Sequence, residues 1–491
     1  MTIAQLAIRR FICLFCLAAT AFLSAGCEVG PDFVRPAPPP VTRYTNKKPP
    51  EKTITALGWA QHFEMGQEIA PGWWRVFQCG ALDGVVREAI VQSPNLQSAL
   101  ARLKQSREDL MAGYGVFFPQ VNGGFGAERQ KFSPLMFGST VTAPVFDLYT
   151  LEGTVSYTLD VFGGERRQVE GLAAQVEYQK QTARAAYLTL VGNVVNAVIA
   201  AAAYRAEIKA TRQIIALQQN QLKITESQAE GGTAPYSNVL AIKTQLEATR
   251  ATLPPLEKNL SQSEHLLTAL LGKTPEQWTP PQIDLDDLTL PVKVPVTLPS
   301  ELVHRRPDIL AAEAQLHSAS ANIGVATAAM FPNITLSGTY GQNNTAITGL
   351  FAPTGNFWSM AANAAAPIFH GGTLWFNRRA AIQAYKVSFA DYRQAVTAGF
   401  QQVADSLRAL QFDANTLEAQ TESLAAASQN LKLVESNYEA GLAGYLDVLT
   451  ADNQYQQAKI AVIEARALRL QDTSALFTAL GGGMEGRQRQ K

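Results

Sequence analysis

Residues Glu226–Leu240 read ESQAEGGTAPYSNVL, and residues Glu435–Leu449 read ESNYEAGLAGYLDVL. Laid over each other, they match at Glu226 and Glu435, Gly232 and Gly441, Tyr236 and Tyr445, and in the closing Val-Leu. Each stretch is a glycine-containing turn between two helix-forming tracts, with glycine relieving backbone strain where the chain reverses. Pro235 further restricts the first turn.

Working outward, the tracts on both sides repeat as well. About 65 residues from Glu165 to Ala229 and about 68 from Thr373 to Ala440 form two long helical tracts, each followed by about 36 residues, Tyr236 to Leu271 and Tyr445 to Leu480. At 1.5 Å per residue the long tracts reach roughly 100 Å, more than a compact globular domain has use for. Leu188, Val191, Val195, Val198 and Ala202 make one apolar stripe, and Leu246, Leu253, Leu256, Leu260 and Leu267 make another. Steps of three, four and seven fit side-by-side packing, and the opposite faces are polar but sparsely charged.

Shorter helical segments, Asp83 to Gly113 and Ser300 to Met330, lead into Phe118-Pro119 and Phe331-Pro332. Their lengths suggest two shorter helices stacked end to end beside one long one. Between short and long helices, two alternating stretches occur in each half: Val121, Gly123, Phe125, Ala127; Leu151, Val155, Tyr157, Leu159; Ile334, Leu336, Gly338, Tyr340; and, more weakly, NFWSMAANAAAPIF. Period-two alternation puts successive side chains on opposite faces of a strand. Four strands cannot enclose a useful pore, and a sheet in lipid must close, so a barrel built from them requires several chains.

The 491 residues carry 41 Lys plus Arg against 41 Asp plus Glu, and 17% of residues are charged. Zero net charge gives no basic surface for nucleic acid. The charge fraction is also below the roughly 25% of ordinary soluble domains, and a Gln-, Asn-, Ser- and Ala-rich surface stands in its place. Arg9 and Arg10 precede the short apolar run FICLFCLAATAFL, which ends in LSAGC at Cys27. This describes an export signal rather than a bilayer span. LSAGC resembles a bacterial lipobox, which implies acylation of Cys27 as the first mature residue, and Glu28 fits delivery to the outer membrane. Cys79 then remains as a free thiol, expected to be buried and structural; no disulfide framework is possible.

Taken together, the chain from Cys27 to about Leu480 resembles the TolC-like outer membrane factor family, lipoprotein branch, which serves tripartite resistance-nodulation-division efflux pumps. The landmarks are WWRVF from Trp73, LDGVVREAIVQSPNLQSALARL from Leu82, LDVFGGERR from Leu159, RRPDI from Arg305, APIFHGG from Ala366 and GLAGYLDVLTADNQYQQAK from Gly441. The resemblance implies a mixed α/β membrane protein: a homotrimer with a shared 12-stranded transmembrane β-barrel, a long periplasmic α-helical barrel and a mixed equatorial domain. It implies passive export of small molecules through the outer membrane, with a periplasmic adaptor protein and an inner-membrane efflux transporter as partners. No cofactor is implied beyond the covalent lipid on Cys27.

On this reading the chain divides into a signal peptide (1–26), a lipid-anchored tether (27–72), a first repeat (73–272), a linker and equatorial segment (273–299), a second repeat (300–480) and a tail (481–491). Pro307 can start a helix and Asp308 can sit favourably at its positive end. Arg305 and Arg306 of the same motif are expected to fix a helix junction. Asp447 matches the first acidic position of the family's periplasmic gate, where three copies would form an acidic ring. Thr450 stands where many relatives have a second Asp.

Catalysis finds no support. His62, His265, His304, His317 and His370 are scattered without metal-ligand spacing. Asp284, Asp286 and Asp287 lack an EF-hand pattern, and GGFG near Phe125 is not a dinucleotide fingerprint. The competing class is a non-conducting, lipid-anchored structural or adhesive coiled coil. Such a rod needs the apolar stripes but not the strand pairs.

Overall fold

A computed structural model describes residues 28–46, 50–131, 133 and 144–483. Cys27 lies outside the described residues. In chain order the elements are β1 (His62–Met65), α1 (Gly80–Gln92), α2 (Pro94–Gly113), β2 (Gln120–Gln130), β3 (Phe146–Leu159), α3 (Gly164–Glu230), α4 (Tyr236–Leu270), β4 (Lys293–Val296), α5 (Pro299–Leu302), α6 (Pro307–Ala328), β5 (Asn333–Asn344), β6 (Asn356–Ala365), α7 (Thr373–Glu439) and α8 (Tyr445–Ala479). The duplication is visible in the lengths. α3 and α7 are 67 residues each, and α4 and α8 are 35 each.

Two compact units emerge. Among the described residues, one comprises residues 28–35 and those within 103–178 and 312–392, and the other comprises the remainder. The first holds the antiparallel sheet β2-β3-β5-β6, whose outer strands β2 and β6 are each paired on one side only. Register places Val121 opposite Val155, Phe125 opposite Leu151, and Tyr340 opposite Trp358. All six are exposed and lie on one face. Residues one step along, such as Asn122 opposite Thr154 and Gly124 opposite Glu152, put a polar surface on the other. A sheet apolar on one exposed face and polar on the other is built to separate lipid from water.

The second unit carries the main apolar core. Trp73, Phe77, Leu82, Val191, Val195, Ile199, Leu267, Leu302, Val403, Leu407 and Phe477 are all buried in it, with Trp73 stacked on Phe477 at 5.4 Å between ring centroids. α3 contains a stretch hydrophobic enough to cross a membrane by length and composition. Val191, Val194 and Val195 within it are fully buried in protein, so its apolarity serves the core. The 2-stranded parallel pair β1-β4 joins the segment before α1 to the stretch between α4 and α5.

The short helices differ from the sequence expectation. Each 31-residue segment predicted as one helix is divided: Ser93 separates α1 from α2, and residues 303–306 separate α5 from α6. Pro94 and Pro307 open the helices that follow. A proline ring pushes the preceding residue out of helical geometry, and Ser93 accordingly has ψ 120°. Proline does not always win: α4 continues through Pro254 and Pro255, although neither can donate to the helix ladder. Cys79 also differs, being half-buried at the N-cap of α1.

Inside the second unit, some buried polar side chains hold distant segments together. Arg469, 1% exposed, donates to Gln61 Oε1 at 3.2 Å and to Thr53 Oγ1 at 3.1 Å, joining α8 to the segment before α1. Nearby, burial pushes the Asp413 carboxyl up to about 7, with Asp472 adding to the shift and Arg469 opposing it.

Candidate functional site

The two helical turns have one hydrogen-bond pattern. Thr233 N–H donates to Gln228 C=O at 2.9 Å and Gly232 N–H to Ala229 C=O at 3.1 Å; Leu442 N–H donates to Asn437 C=O at 2.7 Å and Gly441 N–H to Tyr438 C=O at 3.0 Å. This is the Schellman arrangement, which satisfies the last carbonyls of a helix and requires a left-handed residue at its centre. Gly232 (φ 69°) and Gly441 (φ 76°) supply it. Pro235, with ψ 142°, is the N-cap of α4.

At the second turn the Asp447 carboxylate accepts from Gly444 N–H at 2.9 Å, capping α8, while the residue stays exposed. Thr450 Oγ1 donates to Leu446 C=O at 2.8 Å. The two turns are in contact: Tyr438 Oη donates to Gln228 Oε1 at 3.1 Å and meets Tyr445 edge-on at 5.8 Å. Asp452, two residues beyond Thr450, accepts from Gln218 Nε2 at 3.3 Å and from Gln456. Burial pushes its carboxyl up, against those hydrogen bonds. Glu435 is pushed up by burial and then by Asp452 and Glu439. Gln456 is one turn along the same helix, but Gln218 lies on another helix, more than two hundred residues away, where no sequence pattern links it to Asp452.

The Arg305–Asp308 motif lies where α8 ends and α6 begins. Arg306 is buried. Its Nη1 donates to Ala479 C=O at 2.5 Å, its Nε and Nη2 donate to the Asp308 carboxylate at 3.0 and 2.7 Å, and Nη2 also reaches Gln402 Oε1 at 2.7 Å. Asp308 accepts from Ile309 N–H at 3.0 Å. One guanidinium therefore serves the negative end of α8 and, through Asp308, the positive end of α6. Arg305 pairs with Glu68 and, at 3.4 Å, with Glu301. Gly399 leaves the room: a Cβ there would stand 3.1 Å from Arg306 Nε.

The first repeat has the same junction without the arginine. A Cβ on Gly272, just after α4, would stand 2.5 Å from Pro94 Cδ at the start of α2. Lys273 pairs there with Glu88. In each half, then, the shorter helices meet end to end: α4 at α2, and α8 at α6.

Asp284, Asp286 and Asp287 all have protein partners. Asp287 accepts from Asp284 N–H at 2.9 Å in a capping box, and Asp286 pairs with Arg466. His317 Nε2 lies 2.7 Å from Glu170 Oε1.

A two-faced strand sheet, paired long helices and matching turns define an outer membrane export duct subunit. The chain belongs to the Outer membrane efflux protein family, whose description matches residues 85–273 and 298–482. It is the channel component of a tripartite efflux pump of the resistance-nodulation-division type and sits in the outer membrane.

Among its relatives, the pyoverdine export outer membrane protein OpmQ of Pseudomonas aeruginosa is 30% identical over 84% of this chain and 87% of its own length. The toluene efflux pump outer membrane protein TtgC of Pseudomonas putida is 29% identical over 96% of this chain and 95% of its own. The outer-membrane channel OprN matches with TM-score 0.83 at 25% identity, over 93% of this chain and 99% of that one. The fold is shared with the Campylobacter jejuni CmeC outer membrane channel, TM-score 0.84 at 18% identity, over 94% and 96% of the two chains.

Proposed function

We propose that three copies of this chain close a 12-stranded barrel, with β2 of one chain pairing with β6 of the next, and that the long helices continue the duct through the periplasm. The observation that carries this reading is the β2-β3-β5-β6 sheet, two-faced and open at both edges. Strand edges left unpaired in lipid are too costly to persist. A non-conducting rod would have no use for such a sheet.

Within this duct, Gly232, Gly441 and Pro235 shape the periplasmic turns, and three Asp447 carboxylates form an acidic ring that narrows or charges the entrance. Arg305, Arg306, Pro307 and Asp308 hold the junction of α6 and α8. Leu442 and Leu446, 80% and 70% exposed at the turn, offer an apolar contact for a periplasmic adaptor protein, which in turn engages an inner-membrane transporter. Acylation of Cys27 places the chain in the lipoprotein branch, with residues 1–26 removed. Pyoverdine, toluene and cations appear in the names of relatives. By the same route this chain conducts small molecules whose choice rests with its partners.

Purified protein in planar bilayers tests the reading. Trimer-dependent conductance is expected, and Asp447→Asn, which keeps an acceptor for Gly444 N–H, should lower cation preference and raise conductance. A folded trimer that never conducts, with Asp447→Asn and Gly441→Ala included, would overturn it.

A further inference from the structure

Residues 28–35 form neither helix nor strand, yet they lie in a fitted seat. Val29 N–H donates to Phe162 C=O at 3.1 Å, three residues beyond the end of β3. Three glycines make the fit, Gly30 on the strap and Gly163 and Gly324 on the seat. A Cβ on Gly30 would stand 2.5 Å from Gly324 Cα, one on Gly324 would stand 2.6 Å from Arg167 Cγ and 3.0 Å from Val29 O, and one on Gly163 would stand 2.7 Å from Glu28 Cγ. Gly324 lies inside α6, where glycine costs about 1 kcal/mol relative to alanine. What it provides there is close backbone approach of the strap.

Charge holds the strap at both ends. Arg167, 3% exposed at the start of α3, takes Asp32 at 2.6 Å and Glu170 at 2.7 Å, with Glu28 at 3.8 Å. Arg35 takes the buried Glu313 of α6 at 2.6 Å. Between them, Phe33 stacks on the His317 ring at 4.3 Å and 12°, and His317 is itself tied to Glu170. Burying an arginine is tolerable only with such partners, and two of its three come from the strap.

We propose that Glu28–Arg35 is a latch, with Arg167 as its keeper, that pins the acylated N-terminus to the place where β3 leaves the membrane. The lipid on Cys27 then acts as a fixed part of the membrane collar rather than the end of a loose tether. This rests on the acylation and membrane insertion proposed above.

Amide hydrogen exchange on the full chain in detergent reads the latch directly. Glu28→Gln combined with Asp32→Asn, both changes on the strap, should speed exchange across residues 29–33 at least tenfold and leave residues 191–199 in the core unchanged. Arg167→Lys, which keeps charge and loses the fork, should fall between. Unchanged exchange in the double variant, or wild-type exchange in Arg167→Lys, would overturn the latch.

Six Gly-Ser residues inserted between Cys27 and Glu28 test the anchor. A fixed anchor predicts at least a threefold lower yield of heat-sensitive folded species on gels from outer membranes, whereas equal yield would overturn the collar role. Mass spectrometry of the N-terminal peptide reads acylation by itself. An unmodified Cys27 would sink the lipid reading and the collar with it, while the exchange result on the latch would stand.

Discussion

Replacing Arg306 by methionine keeps the apolar stem and deletes the guanidinium at the junction of α8 and α6. Breaking a buried ion pair by removing one partner costs roughly 3–5 kcal/mol, largely because the other partner is left buried. Here Asp308 is 44% exposed and can take up water, so its share is small. The Ala479 carbonyl is left as the orphan, in a residue only 6% exposed. The expected cost is therefore at the lower end, about 3 kcal/mol.

Arg306→Lys should cost about half as much, since one ammonium cannot serve Ala479 and Asp308 together. Asp308→Asn should cost about 1 kcal/mol, because it keeps an acceptor for Ile309 N–H. The opening is local, so exchange of the Leu480, Gly481 and Gly482 amides is the assay. About 3 kcal/mol corresponds to roughly 100-fold faster exchange there if it falls wholly on local opening. The corresponding amides after α4, at Leu271 and Gly272, should not move. Exchange within threefold of wild type in Arg306→Met, or equal acceleration by lysine and methionine, would refute the reasoning.

The turns separate backbone strain from steric clash. Gly232→Ala and Gly441→Ala, with nothing within 4 Å of the added Cβ, should each cost about 1–2 kcal/mol from left-handed φ alone, whereas Gly272→Ala adds a collision with Pro94 and should cost more in chemical denaturation. Acidity should act on the second unit through Asp413. Burial raises its folded pKa to about 7 from the ordinary aspartate value of 3.8, so the folded state holds the proton longer, and the stability present below pH 4 declines as pH rises towards and through 7. Asp413→Asn should flatten that part of a denaturation-against-pH curve, and an unaltered slope would show that another group carries it. Arg469→Met leaves Gln61 Oε1 without its donor, while Thr53 Oγ1 keeps Gln61 N–H, and should lower stability by about 2 kcal/mol in denaturant titration; a loss below about 1 kcal/mol would count against the network.

Elements whose signal is local were legible. Two apolar stripes and the internal repeat predicted four tracts, and alternation predicted four strands, the weak β6 among them. Leu188, Val191, Val195, Val198 and Ala202, read as one stripe, are all buried. What escaped was non-local. Ser93 and residues 303–306 interrupt segments whose composition is helical throughout, and only the proline that follows each break hints at it. β1 and β4 are four-residue strands far apart in the chain, too short for periodicity to register. Arg167 closes the quoted LDVFGGERR landmark, yet nothing in the sequence connects it to Asp32. The same holds for Arg469 and Gln61, since polar residues show no periodicity when each is buried for the sake of one distant partner.

The open edges of β2 and β6 have a kinetic consequence. A single chain that entered the bilayer would leave both edges unpaired in hydrocarbon, so on the trimer reading the sheet cannot insert and then search for its neighbours. Insertion and assembly become one event, whose rate climbs with more than the first power of chain concentration. Doubling the dose of newly exported chain should more than double the initial rate at which folded species appear, and a strictly proportional response would mean that some other component covers the edges on the way.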